Sequence, residues 1–127
     1  MTSVISIFNT HFIEFLDDVL SIFPTNVNIL AAKNSVVALK KINPSILIKA
    51  WKTYMTNVYL EQINNDDLSF FITKDYSKDL IYSANPDKIM DAINELRDPV
   101  SRMNEGDQQK TMKYIKNLTK LTLIYNP

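Results

Sequence analysis

Few residues in this chain of 127 residues are suited to acid–base or nucleophilic chemistry. His11 is the one histidine, and the nearest carboxylate in sequence is Glu14, whose i+3 spacing on a helix allows a hydrogen bond between the two side chains. Cysteine is absent, which excludes thiol chemistry, disulfides and Cys-based zinc sites. No serine lies in the glycine-containing elbow of a hydrolase nucleophile. The sequence therefore disfavours both a catalytic triad and a zinc site.

A cluster of acidic residues suggests a site for Ca²⁺ or Mg²⁺ as one interpretation. The cluster consists of Asp66, Asp67, Asp75 and Asp79. An EF-hand loop needs oxygen ligands at alternate positions and a glycine at the sixth, and neither Asp66 nor Asp75 begins such a run. The single glycine, Gly106, also excludes glycine-rich phosphate loops. We interpret the acids as helix caps and a solvated loop, and we predict no metal, no cofactor and no enzymatic activity.

Lysines at helical spacing predict a basic face on the last helix. These residues are Lys110, Lys113, Lys116 and Lys120. The net charge of the chain is zero, yet 33–60 and 108–127 contain lysines and no acids. Such a face is either an exposed solubilising surface or a contact for an anionic partner. Trp51, beside Lys49 and Lys52, either stacks on nucleic-acid bases or lies in the core. An alternative function is therefore a nucleic-acid-associated role for basic helices at 33–54 and 108–120.

Apolar residues recur every three or four positions nearly throughout, which predicts an all-α fold. The helices are expected to begin near residues 3, 25, 44, 68, 86 and 108. Thr25 or Asn26 is the expected cap of the second helix, and an interruption is expected in the third helix near Thr56-Asn57. Residues 73–85 are predicted to form a loop. We expect a single compact, bundle-like domain of five or six helices over residues 1–127.

The same spacing predicts which side chains form the core. Trp51 is expected at its centre, and the predicted buried set is Phe12, Phe15, Leu16, Val19, Leu47, Trp51, Ile93, Ile115 and Leu118. On the second helix the predicted core side consists of Ile29, Leu30, Val36, Val37 and Leu39.

The aromatic and methionine content indicates a protein-binding surface. The chain has 6 Phe, 6 Tyr, 5 Met and 1 Trp, which are residue types enriched at protein interfaces. A small helical domain cannot easily bury all of them, so we expect an exposed apolar patch. The expected patch lies on the first helix (Ile7, Ile13, Ile22) or in the segment 68–72 (Leu68, Phe70, Phe71). The expected partner is a second copy or another protein.

The start of the chain predicts neither secretion nor membrane insertion. It lacks a basic beginning, and the first charge, at Glu14, leaves an uncharged stretch shorter than the roughly 20 residues of a membrane span. We therefore expect a protein that is not secreted and has no membrane span.

Several stretches together resemble a group of small proteins of nucleocytoplasmic large DNA viruses, the giant viruses of algae and amoebae. They are Phe15-Leu16-Asp17-Asp18, Phe23-Pro24, Lys41 through Pro44, Lys49 through Trp51, Phe70-Phe71, Asp75-Tyr76 and Leu96-Arg97-Asp98-Pro99. The resemblance covers most of the chain, from about residue 8 to residue 121, and includes no catalytic motif. It implies a viral source, a late or virion-associated role and location in the virion or the host cytoplasm. Ile, Asn and Lys, whose codons are AT-rich, make up 40 of the 127 residues, which agrees with such a genome.

Overall fold

The described part of the chain, in a computed structural model, is helical. The description covers residues 3–73 and 95–125, and for 71–73 the backbone alone. The elements are α1 (Val4–Ile22), α2 (Val27–Ile42), α3 (Ile46–Trp51), a π-helical turn (Lys52–Thr56), α4 (Asn57–Asn64), α5 (Leu68–Thr73), α6 (Arg97–Ser101) and α7 (Glu105–Ile124). Within these ranges there is no strand. Since α3, the π-helical turn and α4 follow one another without an intervening loop, the described residues form six helical segments. The predicted all-α, bundle-like fold is confirmed.

Side-chain caps explain where three of the helices begin. Ser3 accepts a hydrogen bond from the backbone N–H of Ser6, which caps α1. Asn26, rather than Thr25, caps α2, and its Oδ1 accepts from the N–H groups of Asn28 and Ile29 at 3.0 and 3.1 Å. Asn104 caps α7 by accepting from the N–H of Asp107 at 2.8 Å. Each cap satisfies donors that have no partner within the helix itself.

The predicted start of the third helix near residue 44 is two residues early. Asn43 accepts hydrogen bonds from both the N–H and the hydroxyl of Ser45, which forms a turn before α3 begins at Ile46. The side chain of Asn9 donates to the carbonyl of Pro44 at 2.8 Å and holds this turn against α1. The Asn-Pro pair therefore marks a turn, and the helix follows it.

The interruption predicted near Thr56-Asn57 is present as the π-helical turn, which ends at Thr56, and as non-helical backbone at Tyr59. Trp51, Met55, Tyr59 and Ile63, spaced four residues apart, are all buried. In an α-helix of 3.6 residues per turn, side chains four apart drift about 40° around the axis at each step. The wider π turn offsets part of that drift and keeps all four side chains on the core side.

Trp51 lies in the core between α1 and α7. Its ring packs edge-on against Phe12 and Phe8, with centroids 5.7 and 6.2 Å away. Its indole Nε1–H donates to the hydroxyl of Thr119 at 3.0 Å. The predicted buried set around Trp51 is confirmed wherever it is described, since each of its members in those ranges is at most 7% exposed.

Some sequence expectations fail or fall outside the description. Leu30, predicted on the core side of α2, is 48% exposed, because Ile29, Ala32 and Val36 form the buried side of that helix. Thr73, predicted in a loop, is the last residue of α5. The rest of the predicted loop, the helix start near 86 and the buried Ile93 lie outside the described residues.

Candidate functional site

Among the described residues, the two most exposed large apolar side chains both lie on α2. Val27 is 74% exposed, Leu30 48% and Ile42 81%. Ala31, Asn34 and Ala38 are exposed as well. At 100° per residue these positions lie opposite the buried residues of α2. We call this set the outer face of α2: Val27, Leu30, Ala31, Asn34, Ala38 and Ile42. Lys41 is exposed at its edge.

The charges of α2 lie to the side of its outer face. Lys33 forms an ion pair with Asp17 of α1, which holds its ammonium group against the neighbouring helix. Lys40 and Lys41 are in the last turn, where the helix dipole favours cations. The outer face is therefore an apolar and amide surface with lysine at one end.

The predicted apolar patches are only partly exposed. On α1, Ile7 is 42% exposed and Ile22 is 38% exposed, whereas Ile13 is partly buried and packs against the core. Leu68 and Phe70 of α5 also pack against the core, and the Phe70 ring lies 5.4 Å from the Tyr59 ring. The side chain of Phe71 lies outside the described residues. The predicted binding role of these six side chains stays a prediction.

Two of the four lysines of α7 lie near acids from α1 and from the turn between α4 and α5. Lys110 Nζ lies 3.7 Å from Asp18 Oδ2, and Lys116 Nζ lies 3.1 Å from Asp66 Oδ1. Lys113 and Lys120 are exposed. An open groove of about 760 Å³ is lined by Lys110, Lys113 and Lys116 on one side and by the start of α5 on the other. Trp51 is buried, so its core interpretation is confirmed and base stacking by this ring is excluded.

His11 lies in a polar cluster between α1 and α7. Its ring centroid is 4.8 Å from that of Tyr114, whose hydroxyl donates to Asp18. His11 Nδ1 is 3.6 Å from Glu14 Oε2, too far for the hydrogen bond that their spacing in sequence allows. Burial and the hydrogen bond to Asp18 raise the pKa of Tyr114 to about 12. A tyrosine that keeps its proton so strongly is suited to holding the two helices together.

The described ranges contain no group of three or more histidine, cysteine or acidic residues placed to hold a metal ion. None of the helices in those ranges combines the length and apolar character needed to cross a membrane. Comparisons of the chain with protein-family models, with curated protein sequences and with solved structures give no match.

Sequence reasoning missed the outer face of α2 because this helix is apolar on two opposite sides. The signal was the spacing of Val27, Leu30, Ala31 and Ala38, which places them opposite Ile29, Ala32 and Val36. Periodicity identifies two apolar sides in such a helix, and contacts with α1 and α3 decide which of them is buried.

Proposed function

We propose that this protein is a non-enzymatic protein–protein interaction module and that the outer face of α2 is its binding surface. The observation that supports the proposal is the exposure of Val27, Leu30 and Ile42 on one side of one helix. Exposed apolar side chains grouped on one surface mark interaction sites more often than singly scattered ones do. The alanines beside them leave room for a partner helix or loop to approach the backbone.

The resemblance to giant-virus proteins and the AT-rich residue usage support a more specific proposal. On this proposal the protein is a minor structural or capsid component of a giant-virus particle and binds another component during assembly in the host cytoplasm. The interaction surface does not depend on this origin, so the two proposals can be tested separately. Detection of the protein by mass spectrometry in purified particles tests the origin, and its absence from them would contradict it.

The nucleic-acid alternative has less support from the geometry. Trp51 is buried, Lys110 and Lys116 lie near acids, and the chain has no net positive charge. Binding through phosphate contacts would weaken steeply with salt.

The test of the binding surface compares matched variants as bait in an extract of the source cells. Ala31→Glu places a charge in the middle of the outer face, and Asn117→Glu places the same charge on an exposed position of α7. We expect wild type and Asn117→Glu to retain the same protein, and Ala31→Glu to lose it, because a buried unpaired carboxylate is strongly unfavourable. Equal retention by all three would contradict the proposed surface.

A further inference from the structure

Four of the six residues on the outer face of α2 form two symmetric pairs about the middle of the helix, whereas the counterpart position of Leu30, Leu39, is half-buried at the edge. Large aliphatic residues, Val27 and Ile42, lie at the two ends, alanines 31 and 38 lie inside them, and Asn34 lies in the middle. The pairs 27 with 42 and 31 with 38 share one midpoint, next to Asn34. A two-fold interface joins a surface to its own copy, so it requires this kind of self-complementarity.

We propose that the outer face of α2 binds a second copy of this chain, with the two α2 helices antiparallel across a two-fold axis near Asn34. This inference rests on the proposed function, since it names the partner of the same surface. In this arrangement Val27 packs against Ile42 of the second copy, and Ala31 packs against Ala38 of the second copy.

Residue size favours a close approach of the two helices at the centre. The separation of packed helices depends on the side chains at the contact, and paired alanines allow a short one. Asn34 then meets its own copy near the axis, where a side-chain amide offers both donors and an acceptor. A single polar residue at such a position fixes the register of paired helices.

Charge selects the antiparallel direction. A parallel pair would bring Lys40 and Lys41 of both copies together at one end. The antiparallel pair separates Lys41 from its own copy by about 20 Å, more than twice the screening length of about 8 Å at physiological salt. The antiparallel pair therefore avoids the repulsion between lysines that a parallel pair would create.

The length of α2 limits the strength of the pair. Its 16 residues span about 24 Å. One helix pair of that length covers less than the roughly 800 Å² per partner of a standard stable complex. We therefore expect a dimer that dissociates on dilution, and we expect dimer and monomer to be in rapid exchange.

Sedimentation equilibrium of the full chain tests the inference. The protein concentration should run from about 10 μM to about 1 mM, because a weak dimer is expected to have a Kd in the micromolar range or above. The mass of the wild type should rise from 14.7 kDa toward twice that value. Ala31→Glu should weaken association by roughly tenfold or more, because its carboxylate would be buried against Ala38 without a partner. Asn117→Glu, with the same added charge on α7, should associate like the wild type. Far-UV circular dichroism confirms that each variant is folded, and Ala38→Glu serves as the second variant of the face.

A charge-pair variant tests the antiparallel direction. Ala31→Glu combined with Ala38→Lys in one chain places opposite charges across both symmetric contacts, so it should associate more strongly than Ala31→Glu alone. A wild type that stays at 14.7 kDa throughout overturns the inference. If Ala31→Glu still abolishes retention of a different protein in that case, the binding surface stands and the second copy as partner is rejected. The inference is also overturned if Ala31→Glu and Ala38→Glu associate as strongly as the wild type.

Discussion

The substitution Thr119→Val removes the acceptor for the buried indole of Trp51 and keeps the shape of the side chain. Trp51 and Thr119 are 3% and 2% exposed, and the indole N–H donates to the threonine hydroxyl at 3.0 Å. The same hydroxyl donates to the carbonyl of Ile115 at 2.8 Å, so Thr119 connects Trp51 to the backbone of α7. Valine leaves the indole donor without a partner, which costs about 1–3 kcal/mol of the free energy of unfolding.

A double-mutant cycle separates this hydrogen bond from packing. Trp51→Phe removes the donor, so Thr119→Val should cost less in that background, and the difference should be about 1 kcal/mol or more. Urea denaturation followed by far-UV circular dichroism measures all four chains, and the fluorescence of the single tryptophan gives a second measurement where it is present. Thr10→Val, the same change at an exposed site on α1, should change stability by less than about 0.5 kcal/mol. If Thr119→Val has as small an effect as Thr10→Val, or if the cycle shows no coupling, the reasoning is refuted.

Three further predictions concern other parts of the molecule. The free energy of unfolding should fall as pH rises from about 10 to about 12, because Tyr114 loses its proton near the lower pH in the unfolded chain and near the higher pH in the folded chain. Urea denaturation should show a smaller fall in stability for Tyr114→Phe than for the wild type, and an equal fall would contradict this prediction. Asn104→Ala should lower the free energy of unfolding by about 1 kcal/mol through loss of the α7 cap, whereas Asn117→Ala should have little effect. Fluorescence anisotropy with a DNA duplex should show weak binding that Lys113→Gln barely changes, and a large loss in that variant would favour the nucleic-acid alternative.

Helix positions were predictable because the information for them is local. The buried side of α1 and the cap of α2 depend on residues within a few positions of each other; the first is confirmed, and of the two candidate caps Asn26 is the one used. The side of α2 that is buried was not predictable in the same way. Leu30 and Ile29 are equally apolar, and only the packing of α2 on α1 and α3 leaves Leu30 exposed.

Buried hydroxyl groups show the same limit in the core. The hydroxyl oxygens of Thr56 and Thr122 are 2.6 Å apart, although the two residues are 66 positions apart in sequence. Because Thr122 donates to the carbonyl of Thr119, Thr56 must donate to Thr122. The pairing of Thr122 with a residue of the π-helical turn follows only from the assembled fold. The outer face of α2 was missed for the same reason, since a surface is defined by what the fold leaves uncovered.

Disulfide crosslinking tests the antiparallel pairing of the outer face of α2 most directly, since the chain has no cysteine of its own. Positions 27 and 42 are about 22 Å apart along one helix, so cysteines at both positions cannot bond within a chain. Under mild oxidation, Val27→Cys combined with Ile42→Cys should form a covalent dimer, whereas Val27→Cys alone should not. Failure of the paired variant to crosslink, or equally efficient crosslinking of Val27→Cys alone, would contradict the pairing.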